Sequence, residues 1–336
     1  MPSLSITPID RKLSGHAPCI YLFPQNTMKI FTTSAACLAL MMAPLSLIKA
    51  ATSMEDLEKM ESWSYIHNVN YAPCDDADAK SFGCCGKPED GKERCGPDNW
   101  IHINETTTTT CANVKGNQQS PINIQTVGTT LTPMDKADGT MSFSGHTCEA
   151  FIEFKEGTWE VVIPDTCTFQ AKIGGTDYKL LQFHFHNAEH SINFSYMPLE
   201  VHLVHAKVDS PKDIAVLSVF LAPGASSTFF ETLQANEAQA DPDHPDLATK
   251  NKINAYDILP EDHSFWHYVG SLTTPPCQTE KGQSVNWYLF KTPNTLSYSQ
   301  LYYFTSYFRD LPLSDNGRIS RDTQDLVEGT TLFTFP

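Results

Sequence analysis

Basic side chains are scarce in this chain of 336 residues: 23 Lys and Arg stand against 39 Asp and Glu, a formal net charge of −16. A nucleic-acid binder needs a basic face, so that class is disfavoured. An acidic surface also has little attraction for anionic lipid. Long apolar runs are nearly absent. One, at residues 30–48, approaches membrane length, and the last six residues are too short for a lipid-anchor tail. Helical periodicity is limited to residues 227–239 and 297–308, and there is no internal repeat. What the chain does have is a composition 40% apolar and 11% aromatic, which can build a core and excludes wholesale disorder. Its length allows one large or two small domains.

Ten cysteines are many for a reduced cytosolic enzyme. The apolar run offers a reason. Lys29 precedes it, Met28 is an alternative start, and Lys49-Ala50-Ala51-Thr52-Ser53 follows as a small-residue cleavage region. This reads as a secretory signal around residues 28–50, with an uncleaved anchor as the alternative. Residues 1–27 have no assigned role beyond a misassigned start or an organelle-targeting element. Removing residues 1–50 takes away Arg11, Lys12, Lys29, Lys49 and Asp10, leaving 19 basic against 38 acidic groups, or −19. It leaves Cys74, Cys84, Cys85, Cys95, Cys111, Cys148, Cys167 and Cys277. That even number suits an oxidised framework without assigning its pairs. The first four lack the paired Cys-x2-Cys knuckle of a structural zinc site, so a disulfide-stapled loop is expected there. Sequons at Asn104 and Asn193 add weak support for secretion. The layout expected is a targeting segment at 1–50, a cysteine-bearing extension at 51–95 and a catalytic domain at 96–336.

From residue 140 onward, short segments rich in Val, Ile, Phe and Trp are bounded by Gly, Pro, Asp or Asn. Residues 149–154, 159–163, 179–186, 200–208, 214–221 and 284–290 read as strands, so the fold expected is mainly β with a few short helices. One strand is singular. Gln182-Phe183-His184-Phe185-His186 alternates strictly, placing Gln182, His184 and His186 on one face and two Phe on the other. A second strand puts Glu200, His202 and Val204 on one face. If the two pair, three imidazoles converge, a donor set suited to zinc with one position left open. Gln182 and Glu200 are placed to fix the tautomers of those rings.

In chain order the sequence also carries Gly96-Pro97-Asp98-Asn99-Trp100, Asn117-Gln118-Gln119-Ser120-Pro121-Ile122-Asn123-Ile124, Ser144-Gly145-His146, Glu189-His190, Glu200-Val201-His202-Leu203-Val204-His205, Ser271-Leu272-Thr273-Thr274-Pro275-Pro276-Cys277 and Val285-Asn286-Trp287. Over residues 96–320 it resembles the alpha-class carbonic anhydrases of the secreted type. The resemblance implies a large, mostly antiparallel twisted sheet carrying a zinc site. It also implies reversible hydration of CO2 to bicarbonate and a proton by zinc-hydroxide attack, and sensitivity to sulfonamide inhibitors.

Carried over residue by residue, His184, His186 and His202 are the zinc ligands, Thr273 the gatekeeper bonded to Glu189, and His146 the proton shuttle. Val204, Val216, Leu272 and Trp287 line the CO2 pocket, with Thr274 on its polar side. A disulfide between Cys111 and Cys277 is implied, and Cys148 and Cys167 are placed to pair across a hairpin. His190 and His205 have structural roles, while His263 and His267 are expected at the surface or in packing. Two features depart from the family pattern: a short link between His186 and Glu189, and Ser144 and Glu149 near positions where the family often has Asn. A module that has lost catalysis and an ester hydrolase remain the competing readings.

Overall fold

The computed structural model describes residues 65, 97, 100, 111, 118–155, 158–237, 252–275, 277, 284–309, 314–315 and 317–336, together with two short strands near the N-terminus. The four cysteines at 74–95, the Thr run at 106–110 and the Asn104 sequon lie outside the described residues. The chain divides into two units, residues 1–53 and 54–336. In the first, β1 (Cys19–Leu22) and β2 (Met28–Phe31) pair antiparallel, Cys19 opposite Phe31. The rest of the expected signal segment is outside the described residues. Among those described, no helix is long and apolar enough to cross a membrane.

The second unit is mostly β. Its strands are β3 (Asn123–Ile124), β4 (Thr132–Pro133), β5 (Met141–Ser144), β6 (Phe151–Lys155), β7 (Thr158–Val162), β8 (Gln170–Ile173) and β9 (Thr176–His186). They continue as β10 (Ser191–Ile192), β11 (Ser195–Tyr196), β12 (Leu199–Lys207), β13 (Ser210–Pro223), β14 (Phe265–Gly270), β15 (Val285–Phe290), β16 (Asn294–Leu296) and β17 (Phe333–Phe335). Twelve strands form one sheet with the path β4-β17-β14-β15-β13-β12-β9-β7-β6. Within that sheet, among the described residues, only β13 with β15, β13 with β16 and β17 with β4 run parallel. A separate sheet of three strands has the order β11-β10-β3. Helices at Thr228–Glu237 and Tyr298–Arg309 match the two stretches of helical periodicity.

The sheet separates two apolar clusters. Phe183, Phe185, Trp159, Phe229, Phe230, Phe304 and Phe308 fill one, between strands and helices. Val216, Trp287, Tyr268, Trp266 and Ile122 belong to the other, with Val204 and Leu272 packed against it. β9 keeps its apolar side chains on the first cluster along its whole length because its register slips. Val204 of β12 opposes Gln182, whereas the next residue, His205, opposes Leu180. Leu181 is the extra residue and is 39% exposed. One inserted residue inverts the alternation that follows it. Tyr178 and Leu180 are buried before the slip, and Phe183 and Phe185 after it. His184 and His186 are thereby turned to the face opposite the phenylalanine core.

Candidate active site

β9 and β12 lie side by side with His184 opposite His202 and His186 opposite Glu200. Directly opposed residues share a face, so the three imidazoles meet. Their ring centroids are 4.9 Å apart for His184 and His186, 5.3 Å for His184 and His202, and 5.0 Å for His186 and His202. One nitrogen of each ring lies within 4.8 Å of the other two.

The remaining nitrogens are held. His184 Nδ1 donates to Gln182 Oε1, and His186 Nδ1 to the Ile319 carbonyl, both at 2.8 Å. His202 Nε2 is bonded to Glu200 Oε1, also at 2.8 Å. Each partner is an acceptor, so these bonds leave Nε2 of His184, Nε2 of His186 and Nδ1 of His202 as lone-pair donors. Burial pushes His184 well below its ordinary proton affinity, with the neighbouring His186 and His202 adding to it. Burial likewise pulls His186 down to about 4. Rings so biased stay neutral, the form a metal binds. The donor set, its geometry and its protonation therefore fit zinc.

Glu200 organises the floor of the site. Its Oε1 meets His190 Nδ1 at 2.7 Å, His202 Nε2 at 2.8 Å and Ser218 Oγ at 2.6 Å. Its Oε2 accepts the backbone N–H of Glu189 and of His190 at 2.8 and 2.9 Å. Burial alone would raise this carboxyl, but His190 and His202 outweigh it and hold the group well below the usual carboxylate range. His190, Glu200 and His202 also lie close enough for a metal. With both Glu200 oxygens already accepting, that trio is a hydrogen-bonded cluster rather than a second metal site. His190 Nε2 continues the chain at 2.7 Å to the Tyr268 hydroxyl, which donates to Ser120 Oγ at 2.7 Å.

Glu189 is fully buried, and burial raises its carboxyl to about 7, against the pull of His202, the Arg321 backbone N–H and the Thr273 hydroxyl. Its Oε1 accepts that N–H at 2.9 Å. Its Oε2 has no partner at hydrogen-bond geometry and lies 4.0 Å from His202 Nδ1, with Thr273 close enough to act on it.

Thr273 and Thr274 follow β14 on a loop held at both ends. At its start, a Cβ on Gly270 would lie 2.3 Å from Ser120 Oγ and 2.6 Å from the Tyr268 ring, so a glycine is required. The Ser271 N–H donates to Ser120 Oγ, and its carbonyl accepts from Trp287 Nε1. At its end, Cys277 is bonded to Cys111 and donates its N–H to the Thr274 carbonyl at 2.7 Å.

A cavity opens above the three imidazoles. Val204, Val216, Leu272 and Trp287 form its apolar side, and Gln182, Thr273 and Thr274 its polar side. The sheet register explains the apolar side: Gln182, Val204, Val216 and Trp287 are lateral neighbours across β9, β12, β13 and β15. Three further residues line it without having been anticipated: Tyr65, Thr158 and Glu160. Thr158 and Glu160 stand on β7, whose Glu160 opposes His184. Tyr65 is 1% exposed, packs edge-on against His186 at 6.3 Å, and lies within the stretch read as extension. An aromatic pair, Trp63 and Tyr65, was its one sequence cue.

His146 is exposed in the loop after β5 and is not among the residues lining the cavity. Ser144 and Glu149 are also exposed. The Cys148–Cys167 disulfide is present, spanning the β6–β7 hairpin with Cα atoms 6.0 Å apart. Buried His205 bonds the Leu203 carbonyl and the Tyr256 hydroxyl, and buried His267 stacks on Tyr288 at 4.5 Å. Asn193 is exposed.

Residues 95–328 match the family model described as eukaryotic-type carbonic anhydrase. A carbonic anhydrase of Klebsiella pneumoniae is 35% identical over 62% of this chain and 78% of its own. Among solved structures, carbonic anhydrase Cah3 from Chlamydomonas reinhardtii in complex with acetazolamide is 28% identical, covering 71% of this chain and 96% of its own at a TM-score of 0.56. The alpha-carbonic anhydrase from Thermovibrio ammonificans in complex with sulfanilamide is 28% identical, covering 65% and 87% at a TM-score of 0.50. With this sheet, three converging histidines and a family match spanning most of the second unit, the chain belongs to the eukaryotic-type carbonic anhydrases, a family of carbonate dehydratase lyases.

Proposed function

We propose that this protein catalyses the zinc-dependent, reversible hydration of CO2 to bicarbonate and a proton, and that His184, His186 and His202 hold the zinc. When bound, such an ion acidifies a coordinated water and offsets developing negative charge, behaviour for which this enzyme family is the standard example. The observation that carries the proposal is the set of three imidazoles whose other nitrogens are pinned by Gln182, Ile319 and Glu200.

The chain's own residues do the rest. Thr273, donating its hydroxyl proton to Glu189, presents an oxygen lone pair to the cavity and so selects a group that has a proton to give. That role needs Glu189 ionised, which a nearby dication favours against the effect of burial. The wall of Val204, Val216, Leu272 and Trp287 suits CO2, a linear molecule without a net dipole, while Thr274 keeps the opposite side polar. His146 carries the released proton to buffer, its exposure giving it ready exchange with solvent. Relatives from Chlamydomonas and Thermovibrio are solved in complex with acetazolamide and sulfanilamide, which supports this protein being sensitive to sulfonamides as well.

We further propose the layout of a targeting segment at 1–50, an extension at 51–95 and the catalytic domain at 96–336. The route is secretory, with a signal around 28–50. Two disulfides in the described residues fit an oxidising compartment. The test is direct. Purified protein should carry one zinc and hydrate CO2, and His184→Ala should lose both; a His184→Ala variant of full activity overturns the assignment.

A further inference from the structure

We propose that Asn193 carries an N-linked oligosaccharide, and that the sugar covers an apolar corner of the surface. This rests on the secretory reading. A sequon is compatible with the folded protein only where its amide nitrogen reaches solvent. Asn193-Phe194-Ser195 forms the β10–β11 turn, with Asn193 at φ 49° and Phe194 at φ 63°. All three side chains are exposed.

The turn is fixed from beneath. The Asn193 N–H donates to the Ile124 carbonyl at 2.9 Å, and the Phe194 N–H to Asn123 Oδ1 at 2.8 Å. The Asn193 side chain makes two bonds, both to Thr126: its Oδ1 accepts the backbone N–H at 2.9 Å, and its Nδ2 donates to Oγ1 at 2.8 Å. A glycosylated amide keeps its carbonyl, so the bond from the Thr126 N–H to Oδ1 survives modification, while the Nδ2 bond to Thr126 Oγ1 gives way to the sugar.

The transfer is balanced. The amide nitrogen forms a bond to the sugar C1 of a lipid-pyrophosphate-linked oligosaccharide. The C1–O bond to the pyrophosphate breaks and the amide proton leaves, with no change of oxidation state. What lies around the turn gives the sugar something to do. Phe194 is 74% exposed, Val127, next to Thr126, is 78% exposed, and Tyr196 is 52% exposed. An apolar corner of this kind on a soluble protein is either an interaction site or a liability, and a glycan rooted at its centre removes it from solvent. None of these residues lines the catalytic cavity.

The experiment uses the full chain expressed in a eukaryotic secretory host, beside a second version whose residues 1–50 are replaced by an established signal peptide. Peptides are mapped after enzymatic deglycosylation in heavy-oxygen water. The expected result is occupancy at Asn193, lost in both Asn193→Gln and Ser195→Ala, with CO2 hydration within twofold of the parent and increased self-association of both variants. If the version with the established signal reaches the lumen folded and its Asn193 is bare, the inference is overturned. If that version is modified while the chain with its own N-terminus is not, the inference stands and the secretory reading fails.

Discussion

Glu200 Oε1 lies 2.8 Å from His202 Nε2, and that one bond decides which nitrogen of His202 is available to the metal. The same carboxylate accepts four other hydrogen bonds, so it is held rather than merely near. Replacing it with the isosteric amide, Glu200→Gln, puts an N–H donor or a weaker acceptor against His202. Zinc affinity should fall about 10- to 100-fold, the usual cost of losing such an outer partner. Competition with a chromophoric chelator measures this, and an unchanged affinity would remove Glu200 from the account.

The apolar wall should be tested separately from the metal. Val216 is 1% exposed and stands between Val204 and Trp287. Val216→Phe fills the space assigned to CO2 and leaves the histidines untouched. Turnover should drop on the order of 10²-fold or more, since small misplacements at a reacting centre cost that much, while zinc content stays at one per chain. Full activity in a folded, zinc-loaded variant would contradict the pocket assignment.

His205 predicts an acid limit. It is buried, and burial lowers it from 6.5 to about 4 despite its bond to the Leu203 carbonyl. The unfolded chain therefore binds a proton between pH 6.5 and 4 that the folded chain refuses. Stability is fully present above pH 6.5 and declines as pH falls toward 4, by about 3 kcal/mol from this residue. His205→Gln should flatten that slope in urea titrations at successive pH values. A slope as steep as the parent's would show that other groups carry it.

The Cys111–Cys277 bond joins positions 166 residues apart and braces the loop of Thr273 and Thr274. The double variant Cys111→Ser, Cys277→Ser should lose about 2–5 kcal/mol of stability, with turnover reduced because Thr273 is less well held. Equal stability by denaturant titration in parent and variant would argue that the loop is held by Ser271 and Gly270 alone.

His146 predicts a dependence on buffer. His146→Ala should slow turnover mainly at low buffer concentration and recover with added imidazole, leaving kcat/KM for CO2 nearly unchanged. If buffer concentration makes no difference in either protein, the proton leaves by another route.

Much of this was legible in the sequence, for physical reasons that differ by residue. The alternation from Gln182 to His186 reports the two faces of β9 directly, because strand periodicity is local. The pairing that brings His202 alongside is not local, and it needed the resemblance to fix it. The bulge at Leu181 was hidden, since a slip in register shows only against a partner strand. Tyr65 was missed because it sits far from the other motifs in the chain, beyond the cysteine-bearing stretch. Glu160 falls in a stretch that reads as an ordinary strand, and Thr158 stands just before it. Only their register with β9, Glu160 opposite His184, puts them on the cavity wall.

The central claim is that three histidines hold a zinc on which CO2 hydration depends. The measurement that tests it most directly is the hydration rate, by stopped flow, of the same preparation as purified, after removal of metal by a chelator, and after one equivalent of zinc is restored. The account predicts a fast reaction, its loss, and its full return. A folded, zinc-loaded protein that does not accelerate the reaction, or a metal-free one that still does, would contradict it.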